Sequence, residues 1–367
     1  MKRVLYVHGG LLNTGGTESV MMNYYRHFDR SELQVDFALH GFGTASYDEE
    51  VLSMGGRIFN VVPKGEDYLK NSEQLRQIMQ SEDYVAVHAH MDTGNAQVLK
   101  IAQKCEIPIR ISHSHNTDVQ TSNPVKRVFN NLEKRKIPKY ATALFACSDL
   151  AGEWLYGNNK YILINNAVST EKFRFSPELR ETVRNGLGIV QDAPLIGNVG
   201  RFSYQKNHER LIEIFCELLE TIPNAVLLMI GEGETKEQIQ TAVKEKGIDA
   251  SVIFLPPNQD IYKYMQAMDC LLMPSRFEGL PVVAVEAQAS GLPVILSDAV
   301  SRKSAITDLV DFVPLDSDNK VWCEAVTAAL KKQRTDRCDE LREKGFDIVD
   351  NAKKMQHFYL TGELLFK

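Results

Sequence analysis

The chain of 367 residues carries 42 Lys and Arg against 48 Asp and Glu, a formal net charge of −6, and 44% of its residues are hydrophobic. Its length predicts two domains with a core each, and its acidic balance excludes a nucleic-acid binder that works by bulk positive charge. Six scattered cysteines without a C-x-x-C pair, and no apolar stretch near the ~20 residues that span a bilayer, predict a cytoplasmic protein with reduced thiols.

Strands and helices alternate through the first half of the chain, as a doubly wound parallel sheet requires. Apolar runs bounded by turn residues predict strands at 4–7, 34–39, 57–62, 84–88, 107–112, 141–146 and 161–164. Helical periodicity between them predicts helices at 19–28, 47–55, 68–81, 95–104 and 149–155. The pattern predicts an α/β domain over residues 1–165.

A glycine-rich loop follows the first predicted strand. Residues 9–18 read GGLLNTGGTE and include Gly15, Gly16 and Glu18. Glycines let the backbone approach an anion, and the free amides at a helix start bind it, so the loop could cradle a phosphate. A plain flexible loop explains the same pattern equally well. The G-x-G-x-x-G fingerprint is absent, which argues against a nicotinamide dehydrogenase.

Two pairs of histidines lie at the ends of two predicted strands, His88 with His90 and His113 with His115. Residues two apart on a strand face the same side, so these four side chains could hold a metal. Structural histidines that hydrogen-bond within the fold are a second interpretation. We favour an active-site role for a neutral His115, which could orient a substrate hydroxyl or transfer a proton, with His113 as its ambiguous neighbour.

Residues 123–136 predict a basic amphipathic helix, with Asn123 as the cap and Pro124 at the first helical position. Such a helix can dock on anionic lipid, and a helix packed on the core with a solvated basic face explains the pattern as well. The apolar stripe consists of Val125, Val128, Phe129 and Leu132, and the basic face of Lys126, Arg127, Lys134, Arg135 and Lys136.

A second alternation of strands and helices begins at residue 195. Strands are predicted at 195–200, 226–230, 252–255 and 269–275, with another after Gly291, and helices at 207–220, 235–246, 261–266 and after residue 281. The loop after its first strand, GRFSYQKN, contains Arg201 and Lys206. The Arg201 guanidinium could bind two phosphate oxygens at once, and Lys206 adds a point charge at the start of the next helix. Two ordinary surface cations are the alternative.

Residues 277–287, FEGLPVVAVEA, carry two acids eight residues apart. Glu278 is predicted in a loop from strand to helix, and Glu286 about two turns into the helix, where apolar neighbours bury it. A buried carboxylate needs a partner, and a pair of ligand hydroxyls is one. Pro281 has no N–H and suits the first helical turn. Free amides that could seat an anion at this helix start come from Gly279, Leu280 and Val282.

These motifs resemble those of family 4 glycosyltransferases, which are retaining enzymes of the GT-B fold. The phrase Pro-Ser-x-x-Glu-Gly-Leu-Pro…Glu-Ala…Gly-x-Pro-Val matches the family's E-x7-E signature. Residues 15–18 resemble its Gly-Gly-x-Glu loop, and residues 200–207 its Gly-Arg-x-x-x-x-Lys-Asn segment. Residues 165–173 resemble its interdomain linker, although Asn166 and Ala167 stand where a glycine is usual.

The resemblance covers nearly the whole chain and implies two Rossmann-like doubly wound domains that face each other across a cleft. Residues 1–165 would form the acceptor-side domain and residues 166–349 the donor domain. A last helix, at about 350–367, would pack back on the first domain.

The resemblance also implies the role of each site residue. Arg201 and Lys206 would hold the donor diphosphate, and the amide of Gly16 would reach the same phosphate. Glu278 would contact the donor sugar and stabilise positive charge on its reacting carbon, while Glu286 would bind the ribose hydroxyls. His115 matches the family's active-site histidine. No metal or other cofactor is expected, because the two cations neutralise the leaving diphosphate.

The implied reaction moves a hexose from a nucleoside diphosphate-sugar, most commonly UDP-linked, to a glycan or lipid-linked acceptor in surface polysaccharide biosynthesis. Retention would follow from a front-face route in which the leaving phosphate accepts the acceptor's proton. Lipid-linked acceptors favour peripheral contact with the inner face of the membrane through residues 123–136.

Two alternatives remain open. A sugar-nucleotide epimerase of related fold would convert its donor without an acceptor. A degenerate subunit that binds a nucleotide-sugar for another transferase would not need the acid and the two cations of the donor site, yet Glu278, Arg201 and Lys206 are all present.

Overall fold

The computed structural model describes residues 1–13, 15–116, 123–257 and 260–366, without the side chains of 124–126. The chain divides into two compact units. Unit 1 consists of Met1–Ala167 and Ile348–Lys367, and unit 2 of Val168–Asp347. The boundary after Ala167 falls inside the segment that the sequence predicts as a linker.

Unit 1 contains a parallel sheet of seven strands in the order β3-β2-β1-β4-β5-β6-β7. Its strands are β1 Lys2–His8, β2 Leu33–His40, β3 Ile58–Val61, β4 Tyr84–His90, β5 Ile109–Ser114, β6 Ala143–Ala146 and β7 Ile162–Leu163. Its helices are α1 Gly16–His27, α2 Asp48–Ser53, α3 Tyr68–Gln80, α4 Asn95–Lys104, α5 Pro124–Tyr140 and α6 Asp149–Tyr156. The last helix of the chain, Ile348–Thr361, also belongs to this unit.

Unit 2 contains a parallel sheet of six strands in the order β10-β9-β8-β11-β12-β13. Its strands are β8 Leu195–Val199, β9 Val226–Ile230, β10 Val252–Leu255, β11 Cys270–Met273, β12 Val294–Ser297 and β13 Val310–Val313. Its helices are α7 Thr170–Phe173, α8 Pro177–Gly186, α9 His208–Thr221, α10 Lys236–Glu245, α11 Ile261–Ala267, α12 Val282–Ala289, α13 Asn319–Ala329 and α14 Cys338–Glu343. Of these, α7, α8, α13, α14 and β13 were not predicted.

Both sheets are buried on their two faces, which is why their strands read as apolar runs rather than as an alternation of apolar and polar residues. All eight residues of β2 are buried. In unit 2, successive residues of one strand pack into two different hydrophobic core clusters, one on each face of the sheet. On β8, Leu195 belongs to one cluster and Ile196 to the other. The two doubly wound sheets confirm the predicted α/β class.

Each strand order has a switch point where ligands of open α/β sheets bind, outside the carboxyl ends of the strands. In unit 1 it lies between β1 and β4, and in unit 2 between β8 and β11. The segments that follow these four strands contain Glu18, Asp92, Lys206 and Glu278. The topology therefore places the predicted Glu18, Lys206 and Glu278 where a ligand site is expected.

Three predicted boundaries differ from the structure in ways that concern the site. Helix α1 begins at Gly16 rather than at residue 19, so Glu18 lies in its first turn. Strands β4 and β5 continue through His90 and Ser114, two residues beyond their predicted ends. Histidine can extend a strand here because its imidazole stays neutral when buried.

Candidate active site

The predicted site residues fall into two groups, one within each unit. In unit 1, the Glu18 side chain folds back over Gly15, the N-cap of α1. A Cβ added to Gly15 would overlap the Glu18 carboxylate, whereas a Cβ on Gly16 would meet nothing within 4 Å. Gly15 therefore makes room for an acid, and Gly16 borders open space.

His8, at the end of β1, holds Glu18 in this position. Its Nε2 lies 3.3 Å from Glu18 Oε1, and its Nδ1 lies 3.3 Å from the carbonyl oxygen of His90. Burial by itself would raise the pKa of Glu18, but the hydrogen bond from His8, a backbone hydrogen bond and the nearby histidines together outweigh burial, and the pKa is lowered. Glu18 is thus an ionised acceptor at neutral pH. His8 was not predicted from the sequence, although its place at the end of a central strand was a signal.

A buried hydrogen-bonded chain runs from β5 through β4 to the last helix. His113 Nδ1 lies 3.1 Å from His88 Nε2, and His88 Nδ1 lies 2.6 Å from the Tyr359 hydroxyl. That hydroxyl lies 2.9 Å from the hydroxyl of Tyr6 on β1. Burial lowers the pKa of both histidines well below the ordinary value, so the chain is uncharged at neutral pH.

His115 is half-buried and linked to a second buried histidine. Its Nε2 lies 2.8 Å from His90 Nδ1, and its backbone N–H donates to Asp92 Oδ1 at 3.0 Å. Burial lowers the pKa of His115 to about 4, although Asp92 opposes the shift. His115 is therefore neutral at physiological pH, as an imidazole that orients a hydroxyl must be.

Ring nitrogens of three histidines, His88, His90 and His113, lie within 4.8 Å of one another, a spacing that could hold a metal ion. Hydrogen bonds to Tyr359 and His113 already occupy both ring nitrogens of His88. This pairing favours the structural interpretation of His88 over a metal site, whereas the Nε2 atoms of His90 and His113 are buried without a hydrogen-bond partner among the described residues.

In unit 2, Lys206 and Glu278 form an ion pair with side chains only 16% and 10% exposed. Lys206 ends a 3₁₀ turn, Tyr204–Lys206, between β8 and α9. Asn207 follows with a positive φ of 58°, and its side-chain amide donates to the carbonyl oxygen of Pro274 at 3.0 Å. The turn after β8 is thereby anchored to the loop after β11. Sequence analysis missed Asn207 as an anchor.

Arg201 lies apart from this ion pair. Its side chain is 74% exposed and pairs with Glu234 at 3.1 Å.

The two loops that carry Arg201 and Glu234 are in close backbone contact. A Cβ on Gly231 would overlap the carbonyl oxygen of Gly200, and one on Gly233 would overlap that of Phe202. The loops after β8 and β9 thus pack backbone against backbone, and the GEGE sequence at 231–234 was the overlooked signal of that packing.

Glu286 lies in the second turn of α12 and not two turns in, because the helix begins at Val282 and Pro281 is its N-cap. Its side chain is half-buried, and no described residue forms a hydrogen bond with its carboxylate. Burial raises the pKa of Glu286 to about 7, although Lys172 opposes the shift. This carboxylate can accept hydrogen bonds from a ligand.

Two further observations concern the start of α12. A Cβ on Gly279 would meet nothing within 4 Å, so the backbone there is open to a ligand. Leu280 and Val282 pack against the apolar core of unit 2, which fixes the start of the helix.

Helix α5 exposes the apolar stripe that the sequence predicts. Val128 is 62% exposed, Phe129 51% and Leu132 50%, so the core-packed alternative is wrong for these three. The side chains of Val125 and Lys126 lie outside the described residues. Among the described helices, none is both long and apolar enough to span a bilayer.

Comparison with known proteins assigns the family. Residues 14–172 match the model of Glycosyltransferase Family 4, and residues 180–348 that of Glycosyl transferases group 1. The chain is 34% identical over 372 residues to the putative glycosyltransferase EpsF of Bacillus subtilis, covering 98% of this chain and 96% of that one. The chain belongs to the family 4 glycosyltransferases.

This transferase also resembles proteins with more specific names. It is 23% identical to the UDP-Gal:alpha-D-GlcNAc-diphosphoundecaprenol alpha-1,3-galactosyltransferase of Escherichia coli, over 80% of its own length and 79% of that chain. Anabaena HepE, solved in complex with UDP-glucose, superposes with a TM-score of 0.79 at 16% identity, covering 99% of this chain and 100% of that one. The structural likeness confirms the predicted GT-B fold.

Proposed function

We propose that this transferase moves a hexose from a UDP-sugar to a glycan or lipid-linked acceptor with retention of configuration, in surface polysaccharide biosynthesis. The observation that carries the proposal is the pairing of Lys206 with Glu278, together with a Glu286 carboxylate that no described residue hydrogen-bonds, in the segments after the two strands at the switch point of unit 2. A cation for phosphate, an acid for the sugar and an acceptor for ribose then lie in the segments that follow two neighbouring strands of one sheet, β8 and β11. The UDP-Gal in the name of the galactosyltransferase and the UDP-glucose bound to HepE support the donor class, and the name of EpsF supports glycosyl transfer.

In the proposed reaction, Lys206 and Arg201 bind the diphosphate as it leaves and gains negative charge. The bond from the sugar's anomeric carbon to the phosphate oxygen breaks, and the acceptor oxygen bonds to the same face of that carbon. The acceptor's proton passes to the departing phosphate oxygen. Glu278 stabilises the positive charge on the sugar, and Glu286 accepts hydrogen bonds from ribose. No metal is needed, since the two side chains supply the cationic charge.

In unit 1, we assign the glycine-rich segment at residues 9–18 to acceptor binding, and His115 to the orientation of the attacking hydroxyl. The neutral His115 and the ionised Glu18 can each accept a hydrogen bond from that hydroxyl. The exposed stripe of α5 supports peripheral contact with a membrane that carries a lipid-linked acceptor.

Thermal unfolding in the presence of UDP, GDP or ADP, and of their sugar conjugates, tests this proposal. UDP at about a hundred times its Kd should stabilise the protein by about 2.7 kcal/mol, with or without Mg²⁺. Conversion of a UDP-sugar without any acceptor would favour the epimerase instead. If no nucleotide shifts the unfolding temperature at millimolar concentration, the donor site is wrong, and the protein does not act on a nucleotide-sugar.

The affinity for UDP should fall as the pH drops below 7. The raised pKa of Glu286, about 7, means that its carboxylate is protonated below that pH and loses acceptor capacity for the ribose hydroxyls. Calorimetric Kd values should rise as the pH falls below the pKa, by at most about tenfold per pH unit, and level off above pH 8. Glu286→Gln is the matched control, because any pH dependence that persists in it comes from UDP or from other groups of the protein. An identical pH profile in the two proteins would contradict the ribose role.

A further inference from the structure

Glu278 is held by two side chains from a single turn. Lys206 contacts one carboxylate oxygen, Oε1, and the side-chain amide of Gln205 donates to the other, Oε2, at 3.2 Å. The same Gln205 nitrogen donates to the carbonyl oxygen of Phe277 at 3.0 Å. The two hydrogens of this amide therefore point to the backbone and to the carboxylate of the same loop.

The two partners of Glu278 differ in what a phosphate does to them. The Lys206 ammonium is a compact cation with three donors, and an incoming diphosphate attracts it, so its hold on Glu278 weakens when the phosphate binds. The Gln205 amide has no net charge, and both of its N–H bonds already donate to acceptors in the Glu278 loop. We propose that Gln205 is the positioning residue that keeps Glu278 in place when Lys206 turns to the donor diphosphate. This inference rests on the proposed function of the same site.

The backbone of the turn is fixed without the Gln205 side chain. The Arg276 N–H donates to the carbonyl oxygen of Gln205 at 2.8 Å, and Arg276 Nε donates to that of Tyr204 at 3.1 Å. The Arg276 guanidinium also stacks on the Tyr204 ring at 4.4 Å, and Asn207 anchors the end of the turn. Removing the glutamine amide should therefore free Glu278 and leave the turn folded.

The test compares three variants, Gln205→Ala, Gln205→Asn and Gln205→Glu, with the parent protein. Calorimetry gives the Kd of UDP and of UDP-glucose, UDP-galactose and UDP-N-acetylglucosamine, and UDP release gives kcat and KM. We expect unchanged UDP affinity in the alanine variant, loss of any extra affinity that the sugar provides, and a fall in kcat of about 10- to 100-fold. Gln205→Glu should lose more, because two carboxylates then repel, and Gln205→Asn should fall between the parent and the alanine variant.

Gln238→Ala is the matched control, since Gln238 donates to Glu209 at 2.7 Å on the exposed surface of the same unit. It should behave like the parent protein. Equal losses of UDP and UDP-sugar affinity in Gln205→Ala, or an unchanged kcat, would overturn the positioning role while leaving the transferase proposal intact. A parent protein that binds no nucleotide would contradict the proposed function, and this inference with it.

Discussion

Replacing Glu278 with glutamine is expected to lower the rate of sugar transfer by about 10²- to 10³-fold, the usual cost of removing one preorganised electrostatic group. Glutamine keeps the size of the side chain but carries no charge to stabilise the sugar carbon as its bond to phosphate breaks. UDP should bind as before, because Glu278 is assigned to the sugar. The rate is measured as UDP release from the donor that thermal unfolding identifies.

Lys206→Met separates the two halves of the ion pair. It removes the cation that we assign to the diphosphate, so UDP affinity should fall together with the rate, unlike in Glu278→Gln. Glu213→Gln, which alters a half-exposed acid paired with Arg210 in the same unit, is the control and should leave both quantities unchanged. If Glu278→Gln keeps more than a tenth of the parent rate, Glu278 does not stabilise the transition state.

The parts of this site that could be predicted from sequence are those whose signal lies within one loop. Glu278 and Glu286 share a single strand-to-helix segment, and their spacing and apolar surroundings were enough to place both beside one helix start. Gly15, Gly16 and Glu18 were likewise predicted together in one glycine-rich loop, although α1 begins at Gly16, three residues earlier than predicted, with Glu18 in its first turn. Apolar runs predicted both sheets for the same reason, since burial on two faces is written into each strand separately.

The parts that could not be predicted depend on contacts between distant segments. Gln205 meets Glu278 across 73 positions in the chain, and Asn207 meets Pro274 across 67. Nothing in the local sequence distinguishes such an amide from any surface glutamine. Arg201 illustrates the same limit. Its motif predicts a phosphate ligand, and that remains a prediction, but its pairing with Glu234, brought close by the packing of two loops around Gly231, has no signal within its own loop.

Replacing Asp36 with alanine is expected to lower the free energy of unfolding of unit 1 by about 3–5 kcal/mol. The substitution removes the carboxylate acceptor of a charged network and leaves its donors without a partner. Asp36 is fully buried on β2 and accepts hydrogen bonds from Arg3 on β1, Arg57 before β3 and Tyr84 on β4. One carboxylate thus joins segments of four neighbouring strands. The change is measured by urea unfolding followed by circular dichroism, with calorimetry to separate the two units.

Acid titration provides an independent check on the same group. Burial by itself would raise the pKa of Asp36, but its hydrogen bonds from Arg3 and Arg57 outweigh burial, and the pKa is lowered. A lowered pKa in the folded state means that the ionised group stabilises unit 1 fully above the unfolded value of about 3.9, and that this stability is lost as the pH falls below it. The alanine variant should lack this part of the acid dependence.

Asp311→Ala provides the comparison that decides how the Asp36 result is interpreted. Asp311 is 46% exposed and pairs with Lys332, so its loss should cost at most about 1 kcal/mol. If Asp36→Ala costs no more than this exposed pair, the four strands are held by apolar burial and backbone hydrogen bonds alone. A loss several times larger would show that the carboxylate stabilises the sheet, because Arg3 and Tyr84 then remain buried without their acceptor.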